Sequence, residues 1–560
     1  MPEQTVENIP VDIVETIRSS IIGRDVAVET PFGPKRLTYA DYTASGRSLS
    51  FIEDYIRNQV LPMYANTHTE TSGTGLQTTR FREDARAIIR ECVGGVPEEH
   101  AVIFAGSGAT GAVDRLIGML GLRIPAGMDT MYDLDRHIPA DQRPVVFVGP
   151  FEHHSNELPW RETIADVVEI REDADGHVDL GDLEERLIEF RDRPLKIGSF
   201  SAASNVTGII SDTSAISALL HRYDAVSFWD FAASAPYVGI EMRRKDPSGD
   251  YKDAIFISPH KLVGGPGTPG VLVVRKDLVH NTVPAVPGGG TVQYVSSERH
   301  TYISDPEHRE EGGTPAIIES IRAGLVFKLK EEVGAERIRE LEHDYIRRAI
   351  SAWSHNPNVR ILGNPDAERL SIVSFVIEHG ERILHHNYVV ALLNDVFGIQ
   401  ARGGCSCAGP YGHRLLGIDA ETTQRFEVLV ADGCEVIKPG WVRLNFNYFI
   451  SEEEFQYLVE AVDMVATNGW KLLPLYEFDS ATAVWRHRDG LPRPPASLRN
   501  VVFGEDSAVP DVMPATALVD QIRAAKALLE HCAEGSSRDT DLPEEAEQLR
   551  WFPKPAEVNA

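Results

Sequence analysis

Short apolar runs punctuate this chain, and most of them are followed by glycine, serine or a charged residue. Val102-Ile103-Phe104-Ala105, Val145-Val146-Phe147-Val148 and Leu195-Lys196-Ile197-Gly198-Ser199-Phe200 are of this kind, as are Val226-Ser227-Phe228-Trp229, Ala254-Ile255-Phe256-Ile257 and Val271-Leu272-Val273-Val274. Runs this short and this continuous fit strands buried on both faces. Amphipathic stretches lie between them. The alternation predicts an α/β fold with a mostly parallel sheet covered by helices.

The pattern changes along the chain. Residues 1–38 read as an N-terminal helix and a short hairpin, a segment expected to pack on the smaller domain; 39–315 carry the strand–helix alternation of a large domain. Ile317, Ile321, Leu325, Leu329 and Val333 then recur at helical spacing and open a smaller α/β domain over 316–475. Within it, Trp441 to Asn445 alternates like a strand, and Ser451 with Glu454 forms a capping box for the next helix. Residues 476–560 form an extension, expected to be partly mobile. It has a stiff Leu491-Pro492-Arg493-Pro494-Pro495 linker, one amphipathic helix over Ala515–Cys532, a polar stretch at Glu534–Asp541, and Trp551-Phe552 near the end.

Candidate chemistry gathers where strands end. Lys261 follows Ala254–Ile257 in Ser258-Pro259-His260-Lys261, ahead of Gly264-Gly265-Pro266-Gly267. A lysine attacks a carbonyl only when neutral, and a desolvated, electropositive site lowers its pKa. Pyridoxal phosphate (PLP) is the common cofactor held in this way, with an acid facing its pyridine nitrogen. Asp230 ends the run Val226–Trp229, and strand C-termini face the ligand crevice of an open α/β sheet; an acidic helix cap is the other reading of that position. Gly106-Ser107-Gly108-Ala109-Thr110 reads as a strand-to-helix turn whose amides and hydroxyls can cradle a phosphate, on PLP or on another ligand.

Taken in order, these segments resemble the fold-type I PLP enzymes of the class V aminotransferase group, which includes cysteine desulfurases and selenocysteine lyases. The resemblance runs from about Tyr39 to about Val465. It implies that Ser107, Gly108, Ala109 and Thr110 hold the phosphate with Ser258 and His260. It implies that Lys261 carries PLP, that Asp230 holds the ring nitrogen, and that His153 of Glu152-His153-His154-Ser155-Asn156 lies over the ring. Asn205, in Ser204-Asn205-Val206-Thr207-Gly208, is placed near the cofactor hydroxyl or the substrate; Thr314, in Glu311-Gly312-Gly313-Thr314-Pro315, is placed at the phosphate of a neighbouring subunit in a homodimer. Arg443 is placed on the substrate α-carboxylate, a task suited to its planar fork; a surface arginine paired with an acid is the alternative.

The loop Arg402-Gly403-Gly404-Cys405-Ser406-Cys407 bears on the reaction. Cysteine desulfurases carry an arginine five positions before the nucleophilic cysteine, which gives Arg402 and Cys407. The Cys-x-Cys pair also resembles the desulfurase domain of molybdenum cofactor sulfurases. The implied activity is removal of sulfur from L-cysteine through a persulfide on Cys407, with release of alanine and transfer to a sulfur acceptor, which can be a protein. A transaminase or lyase of the same fold, and a non-catalytic PLP-binding sulfur carrier, are the competing expectations. Two departures bear on the substrate. Asp230-Phe231-Ala232-Ala233 lacks the glutamine that desulfurases carry near the cofactor hydroxyl, with Ser234 or Asn205 as substitutes, and Asp419 to Phe426 has the look of an insertion.

Composition narrows the setting. The net charge of −29 disfavours nucleic acid and anionic membranes as partners. No apolar run reaches eighteen residues, so no membrane helix is expected, and the start lacks the features of a signal peptide. Five cysteines in 560 residues suit a reducing cytoplasm. No second Cys/His cluster accompanies Cys405 and Cys407, so no metal is expected.

Overall fold

The computed structural model describes residues 12–243, 248–490, 497–504, 509–533 and 541–559. The Pro-rich linker 491–496 and the polar stretch 534–540 lie outside the described residues. The large sheet has seven strands: β1 (His100–Ala105), β2 (Val145–Val148), β3 (Asp166–Glu169), β4 (Lys196–Ser201), β5 (Val226–Asp230), β6 (Ala254–Ile257) and β7 (Gly270–Arg275). Their spatial order is β1-β7-β6-β5-β4-β2-β3. All neighbours run parallel except β7, which is antiparallel to β1 and β6. The sheet is therefore mostly parallel, as the apolar runs predict. Both faces of its central strands are covered, and Val271, Leu272, Val273 and Val274 have no exposed surface. That explains why these strands read as continuous rather than alternating apolar runs.

Helix α1 (Gly73–Cys92) crosses the large domain and packs on α4 (Ile317–Val333). Two shorter helices open onto the site: α2 (Gly108–Leu120), which follows β1, and α3 (His154–Arg161), which follows β2. The α1 arginines are buried over acids from further along the chain. Arg82 and Arg86 pair with Glu311, and Arg90 with Glu307 at 2.5 Å. These acids also accept backbone N–H bonds from Val102 and Phe104 of β1, so one ionic cluster ties α1, β1 and segment 307–311 together.

A second sheet has the order β8-β9-β11-β10, from β8 (Val359–Ile361), β9 (Ile372–His379), β10 (Arg402–Gly404) and β11 (Trp441–Asn445). It has its own apolar core, with Trp353, Phe375, Leu392, Leu444 and Phe455 among its buried side chains. The capping box is present: Ser451 Oγ accepts from the Glu454 amide, and Glu454 accepts from the Ser451 amide, opening helix Glu452–Asn468. Asp419 caps helix Ala420–Ala431, so the insertion is an ordered helix.

The N-terminal helix is Ile13–Ser20, and strands Ala27–Val28 and Lys35–Arg36 form the short hairpin. Thr38 and Tyr39 pair with Ile399 and Gln400 next to the second sheet. In the extension, helix Ala517–Leu529 and Trp551-Phe552 lie on the core of that sheet. Phe552 is fully buried, and Trp551 Nε1 donates to the Ile437 carbonyl at 2.8 Å.

Candidate active site

The ends of β1, β4, β5 and β6 open into a cavity of about 620 Å³. Every site residue expected from the sequence lines it except Thr314. One wall is the turn between β1 and α2. Gly106 and Gly108 adopt left-handed φ values of +33° and +55°, which suit glycine and let the chain reverse tightly. A Cβ on Gly108 would stand 2.8 Å from Ser258 Oγ, so the β6 loop closes directly on this turn. Ser258 Oγ accepts from the Ala109 amide at 2.8 Å, and Thr110 Oγ1 lies 2.6 Å from Ser155 Oγ. Hydroxyls and first-turn amides thus converge at a helix N-terminus, as an anion requires.

Lys261 stands at the end of the tight turn Pro259–Lys261 that follows β6. Loss of hydration brings its amine down to about 8, and the Arg443 and Arg402 charges push the same way; Asp230 opposes them. A minor neutral fraction therefore exists near neutral pH, as nucleophilic attack requires. Asp230 ends β5 and is buried; burial raises its pKa, opposed by the Ala232 amide (2.7 Å) and by Lys261. The helix-cap reading fails, because Asp230 faces the cavity and no regular helix begins after it.

His153 caps α3 through Nδ1, which accepts from the Ser155 amide at 3.1 Å. An accepting Nδ1 places the proton on Nε2. Burial, with the Lys261 charge behind it, pushes the ring down to about 3 and keeps it neutral. Beneath it, buried Glu152 accepts from the Ser201 amide (2.8 Å), Ser201 Oγ (2.6 Å) and Asn156 Nδ2 (2.7 Å). This network locks the segment that carries His153 onto β4. Burial lifts the Glu152 carboxyl to about 7.

The second sheet supplies the other wall. Arg402 and Arg443 are direct partners across β10 and β11, so two guanidinium groups enter the cavity side by side. Arg443 is buried. It donates to the Asn205 carbonyl at 3.0 Å and pairs with Asp41 at 3.1 Å. Asp41 follows the short strand Thr38–Tyr39 and was not anticipated; an acid just after a strand was its only signal. Ser45 is a second residue missed: its Oγ lies 3.2 Å from His260 Nδ1. Asn205 donates through Nδ2 to the Ser406 carbonyl at 2.8 Å, while its Oδ1 is buried with no hydrogen-bond partner. Of the two candidates to stand in for the absent glutamine, Asn205 lines the cavity and Ser234 does not.

Residues Cys405–Ala408 form a tight turn, closed by the Ala408 amide on the Cys405 carbonyl at 3.0 Å. Ser406 and Cys407 both have left-handed backbones, with φ of 50° and 56°. Two successive positive φ values are typical of type I′ turns and are ordinarily met with Asn or Gly. The turn is also held from across the cavity. The His154 amide donates to the Cys407 carbonyl at 2.9 Å, and the Gly409 amide to His154 Nε2 at 3.2 Å. All five cysteines are free thiols. Among the described residues no cluster of His, Cys, Asp and Glu could hold a metal ion, and no helix is long and apolar enough to cross a membrane. Thr314 is exposed on a turn outside this cavity.

Comparison with known proteins finds relatives over most of the chain. A Streptomyces coelicolor protein named "Probable cysteine desulfurase" is 27% identical over 396 residues, 70% of this chain and 88% of its own. The Haloferax volcanii cysteine desulfurase is 24% identical over 469 residues, covering 82% of this chain and 97% of its own. The apo structure of cysteine desulfurase from Thermococcus onnurineus NA1 superposes with a TM-score of 0.62 at 24% identity, over 77% of this chain and 95% of that one. The Escherichia coli cysteine desulfurase CsdA gives 0.57 at 21% identity, over 76% and 93%. The aminotransferase class-V family model matches residues 38–458, three quarters of the sequence, and the chain belongs to that family.

Proposed function

We propose that this protein is a PLP-dependent cysteine desulfurase, which takes sulfur from L-cysteine and releases alanine. The observation that carries the reading is the entry of Cys407 into the cavity that also holds Lys261, Asp230 and the Arg402–Arg443 pair. The donor set fits PLP: an anion cradle at the α2 N-terminus, a lysine with lowered pKa, a buried acid at the end of β5, and the unpartnered Oδ1 of Asn205. When bound, PLP supplies the electron sink that labilises bonds at the amino-acid α-carbon.

The chain's own groups divide the remaining work. Ser107, Gly108, Ala109, Thr110, Ser258 and His260 hold the phosphate. Lys261 would attach the cofactor covalently and would hold and move the proton at the substrate α-carbon. Asp230 would hold the pyridine nitrogen in its protonated form, and neutral His153 would lie over the ring. Asn205 faces the cofactor hydroxyl. Arg443 and Arg402 orient the substrate carboxylate. The Cys407 thiolate attacks the substrate sulfur: a new S–S bond forms, the substrate C–S bond breaks, and its electron pair stays with the carbon skeleton that leaves as alanine.

The same reading includes a homodimer in the cytoplasm. Thr314 stands outside its own cavity, and the adjoining segment 286–295 exposes Val286, Tyr294 and Val295, as a second copy carrying its own phosphate site would require. Five free thiols fit a reducing compartment.

The test is alanine and sulfide release from L-cysteine with reductant, for the wild type and Cys407→Ser in parallel. Release by the wild type and its loss in the variant are expected. Equal release by both would move the sulfur step away from Cys407; no release by either would favour a transaminase or lyase of the same fold.

A further inference from the structure

The Cys405–Cys407 turn is a partition between two cavities. On one side is the site described above. On the other is a second cavity of about 270 Å³, lined by His386, Asn387, Cys405, Glu435, Lys438 and Thr482 among others. Arg402, Ser406 and Cys407 border both cavities, whereas Cys405 borders only the second. We propose that Cys405 is a second sulfur-carrying residue, which takes the sulfane sulfur from Cys407 and presents it to a thiol acceptor in this second cavity. The proposal rests on the desulfurase reading and extends it to the route by which sulfur leaves.

Three observations carry it. The first is the shared border: Cys407 reaches both sides of the partition, so a sulfur placed on it faces the second cavity without a domain movement. The second is proximity. Cys405 and Cys407 occupy the first and third positions of one turn, and residues two apart have Cα atoms at most about 7 Å apart. The third is the construction of the outer cavity. Its Thr482–Ala483 wall is the tip of a hairpin at the start of the extension, formed by strands Tyr476–Phe478 and Trp485–His487. Asn387 Nδ2 donates to the Ala483 carbonyl at 2.7 Å, which fixes the hairpin beside the cysteine turn. His386, 6% exposed, packs against Gly403 and Gly440 and forms a rigid floor; Trp551 stacks over it with ring centroids 5.8 Å apart. The extension thus finishes a cavity that opens on Cys405 and not on Lys261.

The step balances without an outside oxidant. The Cys405 thiolate attacks the outer sulfur of the Cys407 persulfide. A Cys405 S–S bond forms, the Cys407 S–S bond breaks, and Cys407 leaves as a thiolate ready for the next substrate. An entering thiol then takes the sulfur from Cys405 by the same exchange. Arg402, Lys438 and Glu435 are the charged residues of the second cavity's lining, with Lys438 3.9 Å from Glu435.

The experiment is a single-turnover reaction of the PLP-loaded full chain with L-cysteine in the absence of reductant. It is quenched by rapid alkylation, and fragment-ion mass spectrometry locates the added sulfur. The wild type is expected to carry it on both Cys405 and Cys407. Cys405→Ser and Cys405→Ala should carry it on Cys407 alone, and Cys407→Ser on neither. Label confined to Cys407 in the wild type would overturn the relay and leave the desulfurase reading intact. So would a Cys405–Cys407 disulfide with sulfide released, since that product requires attack on the inner sulfur. Label on Cys405 in Cys407→Ser would overturn the order of transfer. No label and no alanine in any protein would sink the desulfurase reading itself.

Discussion

The two walls of the active-site cavity are built on different physical terms. The wall from the seven-stranded sheet is local and conventional. Asp230 and Lys261 stand within or just after strand ends, and the Gly106–Thr110 turn uses glycine where left-handed φ is required. The wall from the second sheet is neither. Ser406 and Cys407 hold left-handed backbones without being glycine, and partners distant in sequence fix the turn that carries them: His154 on the Cys407 carbonyl and on the Gly409 amide, Asn205 on the Ser406 carbonyl. An L-residue in that conformation costs roughly 1–2 kcal/mol, and such costs persist where surrounding contacts over-determine the backbone. On the proposed function, the first wall would hold a group in place. The second aims one side chain at it.

The largest effect should come from the first wall. On the proposed function, Lys261→Ala removes the covalent attachment and the proton-moving group together. A folded protein lacking the covalent-cofactor absorption band is expected, with turnover lowered by about 10²–10⁴-fold from the proton-transfer role alone. Retention of that band would remove Lys261 from its place and with it the contrast between the walls.

A sharper probe of the same wall is the pH dependence of Lys261. The neutral amine is the reactive form, so its capture of a small aromatic aldehyde by the cofactor-free protein, trapped by reduction, should rise with pH and level off above about 8. Asp230 stabilises the ammonium form; Arg443 and Arg402 destabilise it. Asp230→Asn removes the stabilising charge. The midpoint should then move to lower pH. A midpoint that stays or rises would mean that Asp230 and Lys261 do not sense each other across the cavity.

The difference between the walls also explains how much the sequence disclosed. Six of the seven strands of the large sheet, the Lys261 turn, Asp230 and the Gly106–Thr110 turn were legible because each is encoded within about a dozen residues of contiguous pattern; β3, Asp166–Glu169, was not, because its half-exposed edge carries only Val167 and Val168 between two acids. Ser451 and Glu454 were legible for the same reason. The Asp41–Arg443 pair was not, since its partners are 402 residues apart and neither carries a mark of the other. The hold of His154 on the cysteine turn and the contact of Ser45 with His260 are likewise products of tertiary folding. The register of Arg402 and Cys407 came through resemblance to a family. Nothing local to that stretch announces that Ser406 and Cys407 turn left-handed, because neither residue type favours it. The second cavity was beyond reach, since its walls come from four separate stretches of chain.

The smallest effect is also the one that best separates the two walls. Ser406→Gly relieves one of the two left-handed costs, and the Ser406 contact seen in the turn is made by its backbone carbonyl, which glycine retains. Against this, glycine loses more freedom on folding. The net change should be stabilising by about 1 kcal/mol or less, which in a chain of this size moves the thermal midpoint upward by only about 1 °C. If the turn exists to aim Cys407, the same change should slow alanine formation from L-cysteine a few-fold, because a glycine at 406 lets the thiol sample other directions. Stability and turnover would then move in opposite senses. A variant that gains stability and loses nothing in turnover would show that the left-handed turn is only a way to reverse the chain, and that Cys407 is positioned by the His154 and Asn205 contacts.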